Sequence, residues 1–246
     1  MSARALHWQH SRHAAICDRI EPWAHGTVVR ATEYPGYHDF NAVRVEEDPG
    51  MSVEELAAFA DEALGGLSHR RLDFEAISVA EPLRPGFEAI GWTSSRLVLM
   101  RHEAPAPSGE AIAVEEVHYD SVHDLRAAWF EEESPEQDPG DYHRQAAEVA
   151  ARLNVSVLAV VKNGEPVAFA QLERSGDTAE ITEVYVNPDE RGNGLGTTLT
   201  KAAIDAARAV DDLWIAADDE DRPKELYARL GFRPVLTTLE LTRWPE

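Results

Sequence analysis

Apolar and polar positions alternate along this chain with two periods. Leu56, Phe59, Ala60, Ala63, Leu64 and Leu67 recur at helical intervals, and so do Leu195, Leu199, Ala202, Ala203, Ala206 and Val210. Ser52 with Glu55 supplies a capping box for the first of these helices, and Gly65-Gly66 a stop. The second runs from Leu195 to about Val210. Weaker helical patterns cover Ala5 to Ile20, ended near Pro22, then Pro82 to Ile90, Tyr142 to Leu153 and Pro223 to Leu230. Another follows Ser121-x-x-Asp124, a capping pattern with Leu125, Ala128 and Trp129 as its apolar face.

Strand-like runs lie between them. Thr27–Arg30, Phe40–Val45, Arg71–Val79 and Ser95–His102 fall in the first half, and Ile112–Tyr119, Val155–Val161, Pro166–Leu172, Thr182–Val186 and Leu213–Ala217 in the second. A final pair is expected around Val235 to Thr242. Asn163-Gly164 is a strong signal for a tight hairpin. The predicted class is α/β of the α+β type, with mixed sheets flanked by helices.

Glu103-Ala-Pro-Ala-Pro-Ser-Gly-Glu110 has two prolines, a glycine and no large apolar side chain, and so reads as a linker. The chain is therefore expected to divide into domains at 1–103 and 111–246, joined by residues 104–110. Phe87-Glu-Ala-Ile-Gly-Trp92 and Tyr227-Ala-Arg-Leu-Gly-Phe232 occupy corresponding places after Val45 and Val186, which suggests an internal repeat.

Composition narrows the function classes. Lys and Arg number 23 against 45 Asp and Glu, a formal net charge of −22, so nucleic acid and anionic membrane surfaces are not expected partners. No run approaches the roughly 18 apolar residues of a membrane span, and a cytoplasmic protein is expected. The one cysteine, Cys17, reads as core filler. His7, His10 and His13 imitate metal spacing without a Cys cluster or a His-Glu-x-x-His motif, and no metal is expected.

The candidate chemistry gathers in Ile181-Thr-Glu-Val-Tyr-Val-Asn-Pro-Asp-Glu-Arg191-Gly-Asn-Gly-Leu-Gly-Thr197. The strand stops at Asn187-Pro188, because proline lacks an N–H and restricts the residue before it. Gly192, Gly194 and Gly196 leave backbone N–H groups uncovered at the start of a helix, where the dipole and Arg191 favour an anion. A dinucleotide fingerprint fails at Thr197, and a P-loop fails for want of Gly-Lys-Ser/Thr.

Arg-Gly-Asn-Gly-Leu-Gly, followed by Leu226-Tyr-Ala-Arg-Leu-Gly-Phe232, resembles the signature segments of the GNAT N-acetyltransferase superfamily. The whole chain then looks like a tandem GNAT protein whose first copy is degenerate, since Glu46-Glu-Asp-Pro-Gly50 stands where the second has its anion loop. The resemblance implies acetyl-CoA as co-substrate. Its pyrophosphate would lie on Arg191, Gly192, Asn193, Gly194, Leu195, Gly196 and Thr197, and its pantetheine arm along Val184, Tyr185 and Val186. By the same resemblance Tyr227 donates a proton to the leaving thiolate and also contacts the cofactor, and Glu183 takes the amine proton through water. Asn, which many relatives carry seven residues before the tyrosine, is replaced here by Glu220.

The implied activity is transfer of an acetyl group to a primary amine in a direct ternary complex. Glu131, Glu132, Glu133, Glu136, Asp138 and Asp141, with no Lys or Arg among them, suggest a small cationic acceptor. The protein is expected to be a monomer with an internal pseudo-dimer, or a homodimer. A non-catalytic acyl-CoA sensor or scaffold is the alternative reading.

Overall fold

The computed structural model describes residues 1–104, 113–135, 137–220 and 222–245. In chain order the first half comprises α1 (Ser2–Ile16), β1 (Arg19–Trp23), β2 (Gly26–Arg30), β3 (Ala42–Val45), α2 (Val53–Ala63), β4 (Arg70–Phe74), α3 (Ile77–Ala80), α4 (Arg84–Ala89) and β5 (Thr93–His102). The second comprises β6 (Glu115–Val117), α5 (His123–Glu133), α6 (Tyr142–Arg152), β7 (Ser156–Lys162), β8 (Glu165–Ser175), β9 (Thr178–Val186), α7 (Leu195–Ala206), β10 (Asp212–Asp218), α8 (Pro223–Arg229) and β11 (Phe232–Arg243). No helix among the described residues is long and apolar enough to cross a membrane.

The chain forms two compact units. The first holds Met1–Leu99, Ala217–Asp221 and Val235–Glu246, and the second holds Met100–Ala216 and Arg222–Pro234. This division differs from a cut at residues 104–110, of which 105–110 lie outside the described residues. The difference arises because β11 is one long strand rather than a pair. From Leu239↔Phe74 to Arg243↔Arg70 it runs antiparallel to β4, and the pairing carries the C-terminal segment into the first unit.

In the first unit β1, β2 and β3 pair antiparallel in order, and β3 pairs parallel with β4. The sequence reading missed β1, whose residues are mostly exposed, and extended α1 too far; the helix stops at Ile16, and Pro22 sits in the strand. Arg71–Val79 likewise splits into β4 and the short α3. At α2 the capping box forms as expected, with Ser52 accepting from the Glu55 N–H and the Glu55 side chain accepting from the Ser52 N–H. Leu56, Ala60 and Leu64 are buried against Val43, Leu72 and Phe74.

In the second unit β6, β7, β8 and β9 pair antiparallel in order, and β9 pairs parallel with β10. Asn163 and Gly164 both take positive φ, 54° and 87°, as the tight β7–β8 hairpin requires. The expected Ser121 cap does not form. A 3-10 turn over Tyr119–Val122 leads directly into α5 instead, and the His118 side chain accepts from the Asp120 N–H.

Each unit thus contains the same run: a strand, a helix, a parallel strand and a short helix. Phe87 of α4 meets Trp92 edge-on, with ring centroids 4.9 Å apart and planes at 65°. Tyr227 of α8 meets Phe232 in the same way, at 6.2 Å and 64°. Between the partners in each pair lies a left-handed glycine, Gly91 at φ 84° and Gly231 at φ 97°.

Candidate functional site

The anion loop has the form its glycines predict. A 3-10 turn at Pro188–Glu190 ends the chain's exit from β9, Gly192 and Gly194 take φ of 80° and 76°, and Gly194 caps α7. An added Cβ at either glycine would meet nothing within 4 Å, so positive φ, not crowding, is what demands glycine here. Among the described residues the N–H groups from Gly192 to Thr197 donate to no protein acceptor, and the first bond of the helix is Thr198 N–H to Gly194 O. Such a row of free donors at a helix start suits a phosphate.

Arg191 stands beside it, already engaged. Its Nε donates to Val186 O at 3.1 Å, its Nη2 donates to Glu132 at 2.6 Å, and its guanidinium carbon lies 5.6 Å from the centre of the Tyr185 ring. The Tyr185 hydroxyl donates to the same Glu132 oxygen at 3.3 Å. The Arg191 guanidinium holds the Glu132 carboxyl below the usual carboxylate range. Glu132 is therefore occupied with the loop. Asp138 accepts from the Gly140 N–H, Asp141 pairs with Arg144 at 3.3 Å, and Glu136 lies outside the described residues.

β9 does not alternate as expected. Phe169 faces Tyr185 and Gln171 faces Thr182, so Glu183 and Val184 together oppose the single residue Ala170. This is a bulge, and Glu183 takes φ 47° within it. The ladder with β10 ends at Ile181↔Ile215, although β9 continues to Val186. Among the described residues the ladder with β10 does not continue past Ile181, which leaves the backbone of Val184 and Val186 open to an extended ligand.

The Glu183 side chain is paired. Its Oε2 accepts from Arg126 Nη1 of α5 and, at 2.7 Å, from Gln171 Nε2 of β8. The Arg126 side chain is 2% exposed, and its guanidinium carbon lies 4.7 Å from the centre of the Tyr119 ring. The sequence singles out Glu183 but not Arg126, Gln171 or Tyr119, which the fold brings to it. Nothing in local spacing links residues that far apart.

Tyr227 is 7% exposed, and its hydroxyl bonds to no described residue. Burial pushes the phenol up to about 12, so it stays protonated at neutral pH. Glu220, at the place of the family's Asn, accepts a two-pronged bond from Arg84 at 2.9 and 3.0 Å within the first unit.

The histidine spacing on α1 does not converge. His13 bonds Asp39 O at 3.0 Å, while His10 turns to Glu75 at 2.5 Å. Among the described residues one group has metal-ligand character, His10, Glu46 and Glu75, with ligand atoms within 4.8 Å of one another. Arg44 and Thr27 already bond Glu46. Cys17 donates to Phe40 O at 3.4 Å, and burial pushes its thiol up to about 12, which removes it as a nucleophile at neutral pH.

Comparison with known proteins points to one family. Residues 119–232 match the acetyltransferase (GNAT) family. An uncharacterised N-acetyltransferase of Methanocaldococcus jannaschii is 37% identical over 81 residues, covering 28% of this chain and 35% of that protein. A mycothiol acetyltransferase of Clavibacter michiganensis is 28% identical over 149 residues, covering 57% of this chain and 48% of that protein. Each match spans less than half of the relative's own length.

Among solved structures, a functionally unknown conserved protein of Staphylococcus epidermidis is similar with a TM-score of 0.71 at 17% identity, over 94% of this chain and 95% of that one. A GCN5-related N-acetyltransferase of Kribbella flavida is similar with a TM-score of 0.62 at 20% identity, over 98% of this chain and 95% of that one. Residues 119–232, which hold the glycine loop, the bulged strand and Tyr227, are the part of this chain that matches the acetyltransferase (GNAT) family.

Proposed function

We propose that the second unit transfers an acetyl group from acetyl-CoA to the primary amine of a small cationic molecule, by direct transfer in a ternary complex. One observation carries the reading: among the described residues, the free N–H row from Gly192 to Thr197 follows the part of β9, with Val184 and Val186, that lies beyond its ladder with β10. A pyrophosphate and an extended amide-bearing arm are what that pair of features fits.

Bound acetyl-CoA supplies the activated acyl carbon. The chain's own groups do the rest. Gly192 to Thr197 and Arg191 hold the phosphates, and the open backbone of Val184 and Val186 aligns the arm. Glu183 takes the proton of the attacking amine through water. As the new C–N bond forms and the C–S bond breaks, the Tyr227 hydroxyl offers its proton to the departing sulfur. A phenol near 12 donates weakly in the ground state and bonds most strongly to the charge that develops on sulfur. Glu131 and Glu133, at the end of α5, add negative potential that draws a cationic acceptor.

The first unit is read as a degenerate copy of the same fold. Its Phe87 takes the place of Tyr227 and lacks a hydroxyl, and acidic residues follow β3 where β9 is followed by glycines. A sensor or scaffold that binds acyl-CoA without turnover is the second reading, favoured by the engagement of Arg191 with Glu132. A thiol-release screen with acetyl-CoA across polyamines, aminoglycosides, amino acids and peptides separates the two. Release with a cationic amine supports the enzyme. No release with any acceptor, together with retained coenzyme A binding, supports the sensor.

A further inference from the structure

We propose that Arg126 is a positioning residue for the transfer reaction, acting through Glu183 by holding that carboxylate charged and in place within the bulge. The inference rests on the reading of Glu183 as the group that takes the amine proton.

Two unfavourable features meet at this point. An arginine side chain 2% exposed on α5 carries a buried charge, which is strongly unfavourable unless it is paired. Glu183 holds a left-handed backbone at φ 47°, which is unfavourable for a residue with a Cβ. Each offsets the other through the bond from Arg126 Nη1 to Glu183 Oε2. The bulge turns the Glu183 side chain to α5, and the guanidinium meets it there.

Arg126 brings a positive charge directly to Glu183, and the neighbours Gln171, Tyr119 and His143 are neutral. Gln171 of β8 is a neutral donor to the same oxygen. Tyr119, from the 3-10 turn before α5, lies across the guanidinium, and burial pushes its phenol up so that it stays neutral. His143 of α6 has its pKa lowered by burial, then by His123 and Arg126, and is neutral at pH 7. The Glu183 side chain is 14% exposed, so little water remains to take over if the arginine is lost. A carboxylate without its cation in such a site holds a proton more tightly.

The test is the acidic limb of the kcat/KM profile, measured on the whole protein and on Arg126→Met, Arg126→Lys and Glu183→Gln. Arg126→Met should move the limb upward by about one pH unit or more, with acetyl-CoA KM nearly unchanged. Arg126→Lys should keep it near the parent position, because the charge remains. Should the methionine variant not fold, Arg126→Gln carries the same expectation. If the limb stays in place without the arginine while Glu183→Gln abolishes it, Glu183 is the base, Arg126 is only structural and the proposal is overturned alone. If Glu183→Gln keeps the parent limb, the assignment of the base fails and the proposal falls with it.

Discussion

Arg191 donates to Glu132 at 2.6 Å, so the cation that adjoins the anion loop already holds a carboxylate. Both side chains are nearly half exposed, and a pair of that kind contributes only about 0.2–1 kcal/mol. A pyrophosphate held at this loop, as proposed, would compete with Glu132 for the same guanidinium. Glu132→Gln should therefore tighten coenzyme A binding by about two- to fivefold at low salt, with the gain fading as salt rises. Calorimetric titration at two ionic strengths measures it, and unchanged or weaker affinity would show that Arg191 does not face the phosphates.

Coenzyme A should raise the melting temperature by binding the folded state alone. Gly194→Glu should abolish that rise, since a carboxylate then stands at the loop and the residue is forced to φ 76°. Gly192→Ala should lower stability by about 1 kcal/mol from positive φ alone, because its Cβ meets open space. A full thermal shift in Gly194→Glu would place the cofactor elsewhere.

Removing the Tyr227 hydroxyl should separate chemistry from binding. Tyr227→Phe should reduce kcat by about 10²-fold with little change in acetyl-CoA affinity, as loss of a proton donor does. The Phe232 ring contact tolerates phenylalanine, as the Phe87–Trp92 pair of the first unit shows. Parent-like turnover in this variant would remove Tyr227 from the mechanism.

One coenzyme A per chain is expected. In the first unit the parallel ladder of β3 with β4 continues to Val45↔Phe74, the last residue of each strand, and Glu75 N–H extends it by donating to Val45 O at 3.0 Å. In the second, the ladder of β9 with β10 stops at Ile181↔Ile215 and leaves an edge open. Of these two ladders, the second leaves backbone open to an extended arm. A stoichiometry of two in calorimetry, with one site surviving Gly194→Glu, would contradict this.

Acid should destabilise the first unit through its histidines. His69 is fully buried and donates from Nε2 to Asn41 O at 2.9 Å, and burial lowers its pKa from 6.5 to about 4. The unfolded chain then binds more protons between those values, so the stabilisation present above pH 6.5 is lost as pH falls towards 4. His13 and His38 act in the same sense, each lowered to about 3. His69→Gln keeps a donor for Asn41 and should flatten the fall in urea-unfolding free energy between pH 7 and 5. Equal slopes in parent and variant would refute the assignment.

Features set by neighbours in the chain were legible from sequence. Ser52 and Glu55 cap α2 because a capping box closes within one turn, and Asn163-Gly164 makes its hairpin because both residues accept positive φ. The glycine loop before α7 and the Tyr227 segment belong to the same class, and so does the order of strand, helix and strand that they imply. Val235–Thr242 misled the reading because its apolar pattern is interrupted, while a strand's continuity depends on the neighbour it pairs with.

Tertiary structure decided what lies between distant residues. The bulge at Glu183 exists because two residues of β9 share one partner on β8, and alternation in the sequence carries no mark of that register. Arg126 reaches Glu183 across 57 positions of chain, and Glu132 reaches Arg191 across 59, through the packing of α5 on the sheet. Pairing with β4 assigns the last strand from Val235 onward to the first unit, by hydrogen bonds that any extended backbone can make. Local sequence sets where the backbone can bend and where a helix can begin. Which charges meet there is settled only when the sheet chooses its partners.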